Sequence, residues 1–345
     1  MNLKNSRLLK ALHRQPVDRT PIWLMRQAGR YLPEYNQTRA KAGSFLKLCK
    51  TPELACEVTL QPIHRFNLDA AIIFSDILII PDAMGMQLAF KEGEGPYFER
   101  PFQTLADIQR LREFAVTEKL NYLFQAVQLV KAELTGKIPL IGFTGSPWTI
   151  ATYMIENGAS KQFNKIKKLM MTEPAILQQL LELLTQMVAD CLLEQINAGV
   201  EVVMVFDTWG GILTTKDYER FSLSYMKKIV TTIKQKRPDV PIILFTKNGG
   251  QWLEKIAQTQ CDGVGIDWMT DLADAKRRVG SQVALQGNLD PCILLSTPDI
   301  IKREAQKILD VYHGETGFVF NLGHGISKDT PIENVQALVE VIGAQ

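Results

Sequence analysis

Arg26 and Arg30 stand four residues apart in MRQAGRY, on either side of Gly29. Arginine presents a planar fork of donors that matches carboxylate oxygens, so the pair reads as a grip for a polyanionic ligand, with Arg39 and Arg65 adding to the local charge. The same spacing also fits two surface ion-pair partners on one helical face. Asp76 lies in FSDIL between two strongly apolar runs, where a carboxylate needs a partner or a purpose. Its plainer role is to cap the helix that follows. Tyr153 falls about two turns into a helix opened by Ser146 and Pro147, and fits either a core tyrosine or a ligand contact. Thr208 in FDTWGG is open between an N-cap and a hydroxyl donor. His324 is one of four histidines and sits between Gly323 and Gly325, which points to function. Lys247 in FTKNGG raises Schiff-base chemistry, against a lysine whose stem merely snorkels at a strand end.

These residues share a place in the chain. Short apolar runs recur at 21–25, 70–74, 139–143, 200–206, 241–245, 263–266, 282–285 and 317–322. Most are β-branched or aromatic without alternating polarity, as strands buried on both faces read. Amphipathic stretches separate them. In one, Leu177, Leu180, Leu181 and Leu184 recur at helical spacing and Gly199 closes the helix. Another opens with Thr297 as N-cap and Pro298 at the first helical position. Alternating strands and helices predict parallel βαβ units, and about eight of them predict a (β/α)₈ TIM barrel. A doubly wound open sheet competes, but no run leads into the GxGxxG that would mark its dinucleotide-binding form. Arg26, Asp76, Thr208, Lys247 and His324 follow the end of a run, and Tyr153 lies in the helix after one, where barrel enzymes carry their chemistry. The stretch MQLAFKEGEGPYFERP predicts a β-hairpin inserted at the barrel mouth, and the residues before Pro21 a helical extension. Residues 1–345 are read as one such domain.

With 39 basic and 37 acidic side chains, the net charge of +2 gives no footprint for nucleic acid or a membrane surface. No apolar run approaches the roughly 20 residues of a membrane span, and the N-terminus has no signal-peptide pattern. The five cysteines include no CxxC pair, which fits reduced thiols and a cytoplasmic location. No HExxH, HxxxH or HxC occurs and no Walker loop, so neither a metal nor a nucleotide is expected.

The collected segments resemble the uroporphyrinogen decarboxylase family of tetrapyrrole biosynthesis. PIWLMRQAGRYLPEY is similar to that family's first signature, GFTGSPWTIATYMIE to its second and VFNLGHGI to its C-terminal motif, while LACEVTLQPIHRFNLDAAIIFSDILIIPDAMG resembles the stretch between the first two. The resemblance implies a (β/α)₈ barrel, a homodimer, and no cofactor or metal. It implies conversion of the four acetates of uroporphyrinogen III to methyl groups, giving coproporphyrinogen III and CO₂. Carried over by motif, Asp76 and Arg26 are the catalytic candidates. Arg26, Gln27, Ala28, Gly29, Arg30, Phe45, Asp76, Tyr153, Thr208 and His324 are the substrate-binding ones, with Asp76 facing the pyrrole N–H groups. The rival readings are a corrinoid- or zinc-linked methyltransferase of the same barrel superfamily, a lysine-based lyase and a tetrapyrrole carrier.

Overall fold

The computed structural model describes residues 4–91, 95–102 and 104–344. Seven parallel strands form one curled sheet in the order β1, β4, β5, β6, β7, β8, β9. They are β1 (Ala71–Ile72), β4 (Leu140–Gly145), β5 (Val202–Asp207), β6 (Ile242–Thr246), β7 (Gly263–Gly265), β8 (Ala284–Leu289) and β9 (Phe318–Leu322). The remaining two, β2 (Leu88–Lys91) and β3 (Gly95–Phe98), pair antiparallel as the expected hairpin, while the turn between them lies outside the described residues.

The expected first strand at 21–25 is the exception. It makes one parallel bridge, Ile22 to Phe320 of β9, and on its other side the Asp69 N–H donates to the Ile22 carbonyl at 2.8 Å. It therefore occupies the eighth place of the barrel without a ladder. Side chains take over the missing hydrogen bonds: Asp69 Oδ2 accepts from Ile22 N–H, Gln27 Oε1 from Leu24 N–H and Asn321 Oδ1 from Met25 N–H. Pro21 has no N–H to give.

Period-two alternation sorts the strands. Trp23, Met25, Ala70, Ile72, Ile141, Val202, Met204, Ile243, Phe245, Ala284 and Val319 fill the interior, whereas Val203, Val205, Ile242, Leu244 and Phe320 pack under the helices. The N-terminal helix Arg7–Leu12 plugs the end opposite the mouth with Leu8, Ala11 and Leu12. A Cβ on Gly263 would come within 2.9 Å of Leu12 Cδ2, so the bare glycine is what admits the plug. Asp69 clamps this end, accepting from both Nη atoms of Arg19, from Arg7 and from Asn5.

Among the helices, Pro174–Ala198 ends at Gly199 as expected. By length and composition alone it could cross a membrane, yet most of it is buried against the barrel. Thr297 stands at the N-cap of Pro298–Val311 with extended backbone, but its hydroxyl makes no cap hydrogen bond.

Candidate active site

The loop after residues 21–25 is a pinned turn. Gln27 N–H donates to the Leu24 carbonyl, the Gln27 side chain spans Leu24 N–H and the Ala70 carbonyl, and Tyr31 Oη donates to the Gln27 carbonyl. Ile326 N–H donates to the Met25 carbonyl. These bonds hold Arg26 at φ 61°, a left-handed conformation that costs a non-glycine residue about 1–3 kcal/mol and persists only when its surroundings over-determine it. The Arg26 side chain then crosses Gly325, where a Cβ would overlap its Cδ. A Cβ on Gly323 would instead strike the backbone nitrogen of Trp268. The glycines flanking His324 thus make room for two different neighbours.

Within RQAGR the residues separate. Gln27 is 1% exposed and spends its side chain on the turn itself. Ala28 and Gly29 are half-buried, and Arg30 is exposed, with its carbonyl accepting from Asn36. The extra charge expected from Arg65 is spent on Glu34, which it grips through two hydrogen bonds.

Asp76 is half-buried four residues beyond β1. Its Oδ1 accepts from Leu78 N–H at 2.7 Å, so it does cap the turn that follows. Oδ2 takes no hydrogen bond among the described residues and is left for a ligand. Burial pushes its carboxyl up to about 6, opposed by the Leu78 N–H and the Arg26 charge and reinforced by Asp82. Tyr153, raised by burial, feels both Asp76 and Arg26, so these three residues meet in space. Its ring lies 5.9 Å from Trp209. Phe45 stacks edge-on against Phe74 at 5.8 Å and Phe90 of the hairpin at 4.6 Å, joining the hairpin to the Asp76 side of the mouth. The Arg39 guanidinium lies 6.0 Å from the Phe45 ring.

His324 is half-buried, with Phe245 and Trp268 each 6.3 Å from its ring. Burial, then the charges of Arg26 and Lys247, push it down to about 4, leaving a neutral imidazole at neutral pH. Thr208 is half-buried just past β5. Its neighbour Asp207 belongs elsewhere: alternation turns it to the helix side, where Ser146 Oγ (2.5 Å), Ser222 Oγ (2.8 Å), Thr149 Oγ1 (3.1 Å) and Thr246 Oγ1 (3.3 Å) donate to it. Asp207 holds the β5 loop rather than facing the mouth.

One part of the site escaped the sequence reading. Phe143, Phe206 and Phe245 form an aromatic floor, with edge-to-face contacts of 5.6 and 6.1 Å. Each lies two residues beyond an inward-facing Ile or Met, a signal legible once the alternation is applied. Such a floor excludes water and strengthens every charge above it. Among the described residues no group of three or more His, Cys, Asp or Glu could hold a metal ion.

The family profile described as uroporphyrinogen decarboxylase (URO-D) matches residues 3–344. The uroporphyrinogen decarboxylase of Legionella pneumophila (strain Corby) is 56% identical over 341 residues, covering 99% of this chain and 97% of that protein. That of Serratia proteamaculans (strain 568) is 58% identical over 346 residues, covering 99% and 98%. Among solved structures, a methyltransferase from Methanosarcina mazei superposes with a TM-score of 0.82 at 21% identity, covering 100% of this chain and 99% of that one. A B12-independent methionine synthase from Shewanella sp. W3-18-1 gives 0.55 at 9%, covering 94% and 93%. At such identities these two are likenesses of fold alone.

Proposed function

The chain belongs to the uroporphyrinogen decarboxylase family, and from that premise we propose how its mouth carries out the reaction. The protein is a carboxy-lyase of porphyrin biosynthesis that converts the four acetates of uroporphyrinogen III to methyl groups, giving coproporphyrinogen III. The methyltransferase reading is not favoured, because the relatives at 56–58% identity carry the decarboxylase name.

Each round replaces one CO₂ by one proton. A proton adds to the ring carbon beside the acetate-bearing carbon and makes the ring cationic. The bond to the carboxylate carbon then breaks, its electron pair flows into the ring, and CO₂ leaves. The exocyclic methylene left behind takes a proton to become methyl, and the ring proton departs. The substrate's own ring is the electron sink, the part a cofactor plays elsewhere.

The protein must favour a cation that exists only along the way. Asp76 suits that task, with one oxygen fixed by Leu78 N–H, the other free for pyrrole N–H groups, and a water-poor aromatic floor nearby. It is the inverse of an oxyanion hole. Arg26 holds a substrate carboxylate; a guanidinium is a reluctant acid, so the proton reaches the ring from elsewhere. Neutral His324, the Tyr153 phenol and the Thr208 hydroxyl offer hydrogen bonds without adding charge. Gln27 acts through the turn it builds and not by touching substrate. As the family resemblance implies, the enzyme works as a homodimer in the cytoplasm, without metal or cofactor and without nucleic acid or membrane.

The observation that carries this assignment of roles is the half-free Asp76 carboxylate beside Arg26 and Tyr153. Anaerobic incubation with uroporphyrinogen III, followed by chromatography of the oxidised products, should give a ladder from eight carboxyls to four. Asp76→Asn should lose about a hundredfold or more in turnover while still binding porphyrinogen. Turnover near wild type in that variant would sink the charge-stabilising role.

A further inference from the structure

We propose that Lys247 is a second carboxylate anchor, placed across the mouth from Arg26, and that it holds a propionate of the bound porphyrinogen. The inference rests on the decarboxylase reading above and adds to it a residue that the signature motifs do not include.

The position follows from topology. Going round the barrel from residues 21–25, β6 is reached in four steps through β1, β4 and β5, and in four steps through β9, β8 and β7. Arg26 and Lys247 therefore leave opposite staves. Lys247 is two residues beyond inward-facing Phe245, while Thr246 between them turns outward to Asp207. Alternation turns the lysine to the mouth side of the barrel, where its Nζ meets Trp268.

Its surroundings leave the charge unspent. The Lys247 Nζ lies 5.8 Å from the Trp268 ring centre, and that ring stands at 90° to His324. Indole and neutral imidazole are uncharged partners, and among the described residues no carboxylate pairs with Lys247. Lys50, Lys131, Lys234, Lys255 and Lys276 all have such a partner. A half-buried ammonium resting on an indole face beside a neutral histidine is an anion site awaiting its anion. Imine formation has no role here, since a porphyrinogen carries no aldehyde or ketone.

The choice of propionate follows from the substrate. The reacting acetate must lie with Asp76 after β1, and Lys247 leaves β6 three staves further round, so its cation reaches a different ring. Each ring carries one acetate and one propionate; acetates disappear round by round, whereas the four propionates persist. An anchor useful in all four rounds takes a propionate, and a lysine's flexible stem can follow it as the substrate turns.

Steady-state kinetics of Lys247→Met, Lys247→Gln and Lys247→Arg test this, with coproporphyrinogen III as product inhibitor because its only carboxyls are propionates. Lys247→Met and Lys247→Gln should raise KM for uroporphyrinogen III, and the inhibition constant of the product, about tenfold each, with kcat changed less than about threefold. Lys247→Arg should restore most of the affinity. Thermal melting checks that the neutral variants are folded. Unchanged KM and inhibition would overturn the anchor. A raised KM with unchanged product inhibition would overturn the propionate in favour of an acetate. A fall in kcat alone would overturn a binding role. If the wild-type protein fails to turn over uroporphyrinogen III, the decarboxylase reading itself falls; wild-type turnover with indifferent variants overturns this inference only.

Discussion

Asp76 illustrates how one carboxyl can serve the chemistry at the expense of the fold. Its proton is held up to about 6 in the native protein against 3.8 for an ordinary aspartate, chiefly because burial disfavours the charge. The sign follows. Between those values the native state keeps a proton that the unfolded chain has released, so stability falls as pH rises through the window, and the penalty is complete above about 6. Replacing Asp76 by Asn, which can still accept from Leu78 N–H, should therefore raise stability at pH 7.5 by about 1–3 kcal/mol even as it removes turnover. Equilibrium denaturation of the two proteins at pH 7.5 and at pH 4 checks this, since the gain should shrink at the lower pH. The same carboxyl should set the acid limb of kcat/KM, near pH 6. His324, already neutral down to about 4, should not. The limb should stay in place in His324→Asn, and a shift of one unit or more would assign it to the imidazole instead.

The turns and strand ends explain why some of this site was legible in the sequence and some was not. The eight apolar runs were legible because a strand buried on both faces needs an unbroken apolar stretch, and seven became strands. The run at 21–25 reads the same yet bonds through side chains from Asp69, Gln27 and Asn321, a substitution that no local pattern encodes. Arg26, Asp76, Tyr153 and His324 were legible because polar types near strand ends stand out; the phenylalanine floor looks like ordinary core until the alternation from Ile141, Met204 and Ile243 is followed. Gln27 resembles a ligand contact in the motif, and its side chain braces the turn, a role the motif does not announce. Gly323 and Gly325 look equivalent in the sequence but meet different obstacles, and this separates two outcomes. In Gly325→Ala the new methyl displaces a flexible arginine arm, so turnover should fall about a hundredfold through misplacement of Arg26 while the melting temperature barely moves. In Gly323→Ala the methyl meets backbone, which cannot swing aside, and the cost should be about 1–3 kcal/mol of stability. Parallel kinetics and thermal melts of the two variants distinguish them; equal melting temperatures would contradict the contacts.

Across the whole molecule, the barrel separates what holds it together from what it does. One end is closed by Leu8, Ala11 and Leu12, with Asp69 binding Arg7, Arg19 and Asn5 around the plug; the other is open and lined by the site. The interior between them is packed through Trp23, Met204 and Gln286, where Trp23 Nε1 donates to Gln286 Oε1 at 2.9 Å. A close-packed core transmits a large defect but absorbs little of a small one, and truncating a plug residue should be felt as a cavity under β7. Leu12 is 3% exposed and fits against bare Gly263, so its truncation opens a buried cavity there. Leu12→Ala should thus cost about 2–4 kcal/mol. Because Arg26 and Asp76 are fixed by their own local bonds at the opposite end, kcat and KM at 20 °C should stay within about twofold for the fraction that is folded. Denaturant titration gives the first number and steady-state kinetics the second. A loss of kcat larger than the loss of folded protein would mean that the plug reaches the mouth through the barrel wall, and the separation of the two ends would fail with it.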